Sequence, residues 1–424
     1  MSSGLHGGAA CGRLAAIGMG LLLAWVLPSG VPVAQAQAKD EPAGVAFQPS
    51  LDATTCTDWM QRWKANVVSD SNQRFCDKEM GEGIGWRVAP FLNSYYYGYM
   101  ATGDREWIDR LIDWSDSVIK RGVKEPDGYI GWPWEIVGLS NDAEEIYHTD
   151  NELGEAMVLA PMVKMADKIL KTPSLKERYG AKADEYMQLS EQLFEKWNTR
   201  GAWREVKDGG VWVVPVFGII RETTQWGYKP KSNDCFTLPQ NMQNLIGEWM
   251  LAMYDATHEP IYRERAEMWW RVMKSRMRLR DDGKYFVWNY WDPAGPWDQK
   301  PDGSLKLWQG VHPNGGYYAV DVGGIVDAYE HGLVFTKEDI ARLIATNRDF
   351  MWNQQVKNAR FRRIDGEPPD PNYPNTPGAL WDALAPYDAT LWKIFAANYD
   401  PGSWGGMGAP DWVARFGPKS NAGQ

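Results

Sequence analysis

The chain is short of histidine, of cysteine and of net positive charge, and each shortage removes a class of function. Its 5 histidines and 4 cysteines include no CxxC and no Cys/His pair at metal-ligand spacing, so no zinc site is written into the sequence. Lys and Arg total 45 against 55 Asp and Glu, a net charge of −10. That balance excludes nucleic acid as a partner, because phosphate binding needs a basic footprint. The apolar run Ile17–Leu27 is too short to span a bilayer. With Arg13 before it and Ala-x-Ala steps at Ala34–Ala36 and Ala36–Ala38, it reads as a cleavable signal over residues 1–38. Cys11 lies ahead of the run, where a lipoprotein cysteine would follow it. The expectation is a periplasmic or secreted mature protein with no membrane anchor.

Export permits disulfides, and Cys56 and Cys76 are placed to close a loop of ~20 residues worth roughly 3 kcal/mol. Cys235 would then keep a free thiol. No Pro/Ser/Gly-rich linker or charge block divides residues 39–424, so one domain is expected.

What the chain has in abundance is aromatic: 24 Trp, 19 Tyr and 12 Phe. Flat faces with polar edges suit sugar rings, although a thick core also absorbs aromatics. Trp86 and Arg87 in "GWRVAPFLNSYYYGY" and Trp132 and Trp134 in "DGYIGWPWEI" are expected to form sugar subsites.

Helical patterns fill most of the length. "MATGDREWIDRLIDWSDSVIKR" (100–121) and "YDATHEPIYRERAEMWWRVMKSRM" (254–277) repeat one design, a turn followed by an amphipathic helix. Further patterns run over 151–171, with a kink expected at Pro161, and over 175–197, 240–254, 320–330 and 337–352. Short β-like pieces fall at 210–217 and 285–290. Helix pairs of this kind must stack or close to bury their faces, which predicts an all-α fold, an (α/α)n toroid of about 6–7 pairs with long loops and minor β pieces. An open solenoid is the alternative.

Three motifs carry chemistry. "CFTLPQNMQNLIGEWMLAMYDAT" puts Asn241, Gln243 and Asn244 in the first turn of a helix, more amides than one cap requires. "WQGVHPNGGYYAVDVGGIVDAYEHG" holds His312 in a Pro-Asn-Gly-Gly turn beside Tyr317 and Tyr318. "VKNARFRRIDGEPPDPNYPNTPG" gathers Arg360, Arg362 and Arg363 before Tyr373, and "YHTDNELGEA" places His148 ahead of a helix.

These motifs, in their order, resemble the helical-toroid polysaccharide lyases, especially the glucuronan/alginate lyases of polysaccharide lyase family 38. The likeness covers roughly Trp86 to Trp392. It departs at Gln240, where an apolar or aromatic residue is usual, and at Pro313. The resemblance implies β-elimination on a uronic-acid polymer: a carboxylate is neutralised, the C5 proton removed and the leaving O4 protonated. It assigns Asn241 as the carboxylate neutraliser and His312 as base or neutraliser. Arg362 or Arg363 becomes the charge partner and Tyr373 the acid or base, with Tyr317, Tyr318 and Tyr387 as competitors. His148, Asn244, Tyr318 and Arg362 join the tryptophans as substrate contacts. No cofactor or metal is implied; the aspartates of "WDPAGPWDQKPDGS" do not follow calcium-loop spacing.

Two other readings remain open. A toroid glycoside hydrolase would use a carboxyl pair from Asp150, Glu152, Asp321 and Asp382, and an epimerase would share only the first step. A glycan-binding protein would explain the tryptophans without the histidine and tyrosine loops.

Overall fold

Among the described residues, apolar positions at helical spacing build eleven α-helices: α1 (Ala53–Ser71), α2 (Ala89–Thr102), α3 (Glu106–Lys120), α4 (Glu152–Lys171), α5 (Pro173–Thr199), α6 (Gln240–Thr257), α7 (Pro260–Arg276), α8 (Gly315–Glu330), α9 (Lys337–Ala345), α10 (Ala389–Asn398) and α11 (Ala409–Phe416). The computed structural model describes residues 47–137, 146–214, 217–220, 226–228, 236–280, 283–373 and 379–418. Residues 47–424 form one unit. The expected signal segment lies outside the described residues, as does Cys235.

The helices are of two kinds. α3 is amphipathic, burying Trp107, Ile108, Leu111, Trp114 and Val118 along one stripe. α4 is buried on most of its surface, from Leu153 to Ile169, and runs through Pro161 as one helix. Buried helices form an inner ring: α2 packs on α4, α4 on α6, α6 on α8, α8 on the 3-10 segment Asp382–Tyr387, and α11 back on α2. The outer helices α3, α5 and α7 each back their predecessor, α9 and α10 pack on the 3-10 segment, and α1 backs α11. Among the described residues the ring thus has six inner and six outer elements. The pair of α1 with α11 joins the two ends of the described chain, tied by Leu51 N–H donating to the Phe416 carbonyl at 2.8 Å. Inner helices approach closely: a Cβ at Gly324 of α8 would lie 2.9 Å from the Asn244 Cβ of α6.

Connections from inner to outer helix are short, as at Gly103–Arg105 and His258–Glu259. Those from outer to next inner helix are long. The long loops therefore gather where inner helices begin. Small antiparallel sheets lie in them, one of four strands ordered Trp134–Val137, Ile146–Thr149, Phe217–Ile220 and Trp226–Tyr228.

Among the described residues ten tryptophans are fully buried, including Trp107, Trp249, Trp269, Trp270, Trp288 and Trp381. Much of the aromatic excess is therefore core. Cys56 and Cys76 are both buried and free, so the expected bridge is absent. Burial pushes the Cys76 thiol up to about 12, and its Sγ donates to Asp77 at 3.4 Å. Among the described residues no helix is long and apolar enough to cross a membrane.

Candidate functional site

The site is built where α6 and α8 begin. Pro239 precedes α6 and lacks the side-chain oxygen of a cap. The amides of the first turn are free for other work, and they divide it. Gln243 accepts from Trp212 N–H at 2.8 Å and donates to the Trp212 carbonyl at 2.8 Å, fastening a loop strand to the helix. Asn244 donates to Asp321 at 2.9 Å and accepts from the indole N–H groups of Trp269 and Trp270 at 2.8 and 3.0 Å. Asp321 also accepts from Trp288, and burial pushes its carboxyl up to about 7. Asn244 is thus the centre of a closed core network, not the substrate contact expected from its motif. Asn241 differs. Its side chain is 1% exposed, and neither its amide oxygen nor its amide nitrogen has a hydrogen-bond partner.

The α8 start is cut differently from the sequence expectation. The helix begins at Gly315 and is capped by Asn314, whose side chain accepts from Gly316 N–H at 3.0 Å, so both glycines and both tyrosines belong to the helix. His312 is held from both sides. Its backbone N–H donates to the Tyr318 hydroxyl at 2.9 Å, and its Nδ1 accepts from Asn314 N–H at 3.0 Å. A backbone N–H can only donate, so Nδ1 is the bare nitrogen and the neutral ring carries its proton on Nε2. Burial, then the Arg363 guanidinium, hold the imidazole below its usual pKa. The ring sits among Tyr317 (4.7 Å), Tyr290 (5.0 Å), Tyr373 (6.0 Å) and Trp308 (6.5 Å) between centroids. Trp308 is 57% exposed and Tyr373 41%, so this cage opens to solvent.

Gln240 joins the two helix starts: its N–H donates to the carbonyl of Tyr290, the residue whose ring lies against His312. Burial, then Tyr317 and Glu82, push the Tyr290 phenol above its ordinary range. Glu82 also accepts from the indole of the exposed Trp86 at 2.6 Å.

The other expected residues fall in several places. Arg363 donates to the Val311 carbonyl at 3.0 Å and to Asp365 at 2.6 Å, bracing the His312 turn, and its Nε is buried without a partner. Arg362 is exposed over Phe350, and Arg87 is exposed and paired with Glu79. Tyr318 is buried, and burial raises its phenol, so it acts as a strut for His312, not a substrate contact. Trp132 is 2% exposed and donates to the Val118 carbonyl, which makes it core and corrects the subsite expectation. Trp134 is half-buried against Gly81, where a Cβ would lie 2.1 Å from its ring. His148 is in a strand whose backbone pairs with Glu135 and Ile219; its side chain lies outside the described residues. Tyr290 had no signal beyond a short aromatic strand.

The carboxyls are mostly committed. Asp150 is bound by Lys196 at 3.0 Å and Arg200 at 2.8 Å, in a buried net with Glu125 and Glu155. Glu152, at the start of α4, is buried with Oε2 unpartnered, and burial, then Glu155, hold its carboxyl well above the usual range. Asp382 accepts from Ala383 N–H at 3.0 Å, and burial raises it. Asp298 takes the N–H groups of Thr237, Ala294 and Gly295, a turn anchor. Among the described residues no group of three or more His, Cys, Asp or Glu converges as a metal site would.

No family model and no curated protein matches the chain. Solved structures do. A D-mannose isomerase aligns with TM-score 0.50 and 14% identity over 86% of this chain and 98% of that one. A family 88 glycosyl hydrolase from Bacteroides vulgatus gives 0.43 and 15% over 85% and 99%. An inactive α-1,6-mannanase variant, GH76A of Salegentibacter sp. HEL1_6, gives 0.44 and 12% over 85% and 99%. At such identities the likeness is one of fold, and the resemblance to polysaccharide lyase family 38 rests on its motifs alone. The chain folds as an (α/α) toroid.

Proposed function

We propose that this chain is an exported enzyme that acts on a glycan at the mouth formed by the starts of α6 and α8, and that it cleaves a uronic-acid polysaccharide by β-elimination. The observation that carries the reading is Asn241. A buried amide with no partner is costly, on the order of 1–3 kcal/mol, and such a group is retained where a ligand supplies the missing bonds. Asn241 donates its amide N–H to the uronate carboxylate, and His312 offers Nε2–H to the same group. Both donors are fixed before charge develops, as stabilisation of an enolate-like intermediate requires. Because its Nδ1 already accepts a hydrogen bond, His312 serves as the neutraliser, and the base role falls to a tyrosine. Tyr373, acting as its phenolate, takes the C5 proton; the C5–H electrons form the C4=C5 bond, the C4–O4 bond breaks with its electrons going to O4, and the phenol so formed gives its proton to O4. Tyr317, closer to the imidazole, is the competing tyrosine. Trp308 and Trp86 offer flat faces for neighbouring sugars. The mannose isomerase neighbour supports a sugar as substrate class and says nothing of the reaction.

Glu152 favours a second reading. A carboxyl at a helix start with one buried oxygen unpartnered and its pKa raised by burial is what a glycoside hydrolase needs in its general acid. Products separate the two. Incubation with a panel of uronic-acid polymers is expected to give ultraviolet absorbance from a conjugated unsaturated uronate, unchanged after EDTA treatment. New reducing ends without that absorbance would establish the hydrolase and sink the lyase.

A further inference from the structure

A cavity of about 420 Å³ is lined in part by Asn289, Asp292, Pro293 and Ala294, from the loop that carries Tyr290. Its volume is within the roughly 300–1,000 Å³ of small-molecule sites. Arg276, at the end of α7, is at its inner wall, and Arg278 and Lys207 stand at the exposed rim. Nothing in the elimination chemistry uses it.

Arg276 is under-committed. Among the described residues its one hydrogen bond runs from Nη1 to the Gln240 side-chain oxygen at 2.9 Å, and it makes no ion pair. Asp292, the nearest carboxylate wall, is already filled by three neutral amides: Asn289 and Gln309 at 2.6 Å each and Gln240 at 3.2 Å. Burial lowers the Arg276 pKa, with Asp292, Asp298 and Asp208 opposing. The guanidinium is half-buried and turns nitrogens that have no partner among the described residues toward this space.

We infer that this cavity binds a sugar acid, a single uronate or the acidic end of a short chain, with its carboxylate on Arg276 and Arg278. The charge count selects the class. Arg276, Arg278 and Lys207 oppose Asp208 and Asp292 and leave one positive charge, which suits a monoanion better than a phosphate dianion. Guanidinium matches carboxylate geometry through paired N–H donors. Asn289, Gln309, Ser275 and Asp208 supply the neutral donors and acceptors that ring hydroxyls need. Gln240 connects this wall to the catalytic turn: it contacts Arg276 and Asp292 with its side chain and precedes Asn241 in the chain. The choice of a uronate rests on the elimination reading; the presence of an anion site does not.

Calorimetric titration of the intact mature protein with D-glucuronate tests the inference, with D-glucose and inorganic phosphate as controls. Binding of glucuronate is expected, with glucose and phosphate each at least about tenfold weaker. Arg276→Met should reduce glucuronate affinity by about tenfold or more. Arg278→Gln, which leaves the Gln240 contact intact, should weaken it several-fold without changing turnover on the polymer. Unaltered affinity in both variants, equal binding of glucose or phosphate, or binding abolished by His312→Ala but not by Arg276→Met would each overturn it. Glucuronate held here by a protein that eliminates no polymer would sink the elimination reading alone. Elimination activity without this binding would sink the cavity alone.

Discussion

Asn241 and Asn244 stand three residues apart on one helix, and the fold treats them in opposite ways. Asn244 meets Asp321, Trp269 and Trp270, so its side chain is saturated. Asn241 is as deeply buried, yet it meets no donor or acceptor. The saturated amide fixes where α6 and α8 sit. On the proposed reading the unsaturated one is left for substrate, and stability and function would then divide within one turn.

Breaking the lower member should have the largest effect. Asn244→Leu removes the partners of two indoles and a carboxylate at ~1–3 kcal/mol each, so a loss of about 3 kcal/mol or more is expected in chemical denaturation. Asn241→Leu, by contrast, replaces an unsatisfied amide with apolar surface and should raise stability by ~1 kcal/mol while abolishing activity. Equal losses in the two variants would erase the distinction.

Next comes the mouth itself. His312→Ala should lower polymer turnover by ~10²-fold or more with little change in thermal midpoint. Combined with Asn241→Ala it should lower it little further, because both donors serve one intermediate. Additive losses would place them in separate steps.

The smallest effect sharpens the comparison with Glu152, another unpartnered buried polar group. Its folded pKa is raised, so its favourable contribution is present below the usual carboxyl pKa and is lost as pH rises towards the raised value. Glu152→Gln should remove that loss, gaining about 1–2 kcal/mol at neutral pH relative to acid, with elimination preserved. Loss of all cleavage in this variant would favour the hydrolase.

Much of this was legible in the chain and some was not. Repeated turn-plus-helix segments pointed to the toroid, because helix pairs must stack or close on themselves to bury their faces. The closing pair of α1 with α11 joins opposite ends of the described chain, and no local pattern announces that. His312 was visible through its Pro-Asn-Gly-Gly context, although the glycines turned out to be helical. Composition counted tryptophans without locating them: Trp132 went to the core and Trp308 to the mouth. Asn241 and Asn244 look alike in sequence, since their difference is made by Trp269, Trp270 and Asp321, all distant in the chain. Tyr290 and Arg276 were hidden for the same reason.

The most direct test of the central claim is Asn241→Asp, which keeps the size of the side chain and puts a negative charge where the substrate carboxylate should lie. Elimination by this variant would be followed through the absorbance of the unsaturated product on the polymer that the wild-type protein cleaves. The expected result is a folded protein whose elimination rate falls by at least ~10²-fold. Near-normal production of the unsaturated uronate would show that no carboxylate meets Asn241 and would contradict the account.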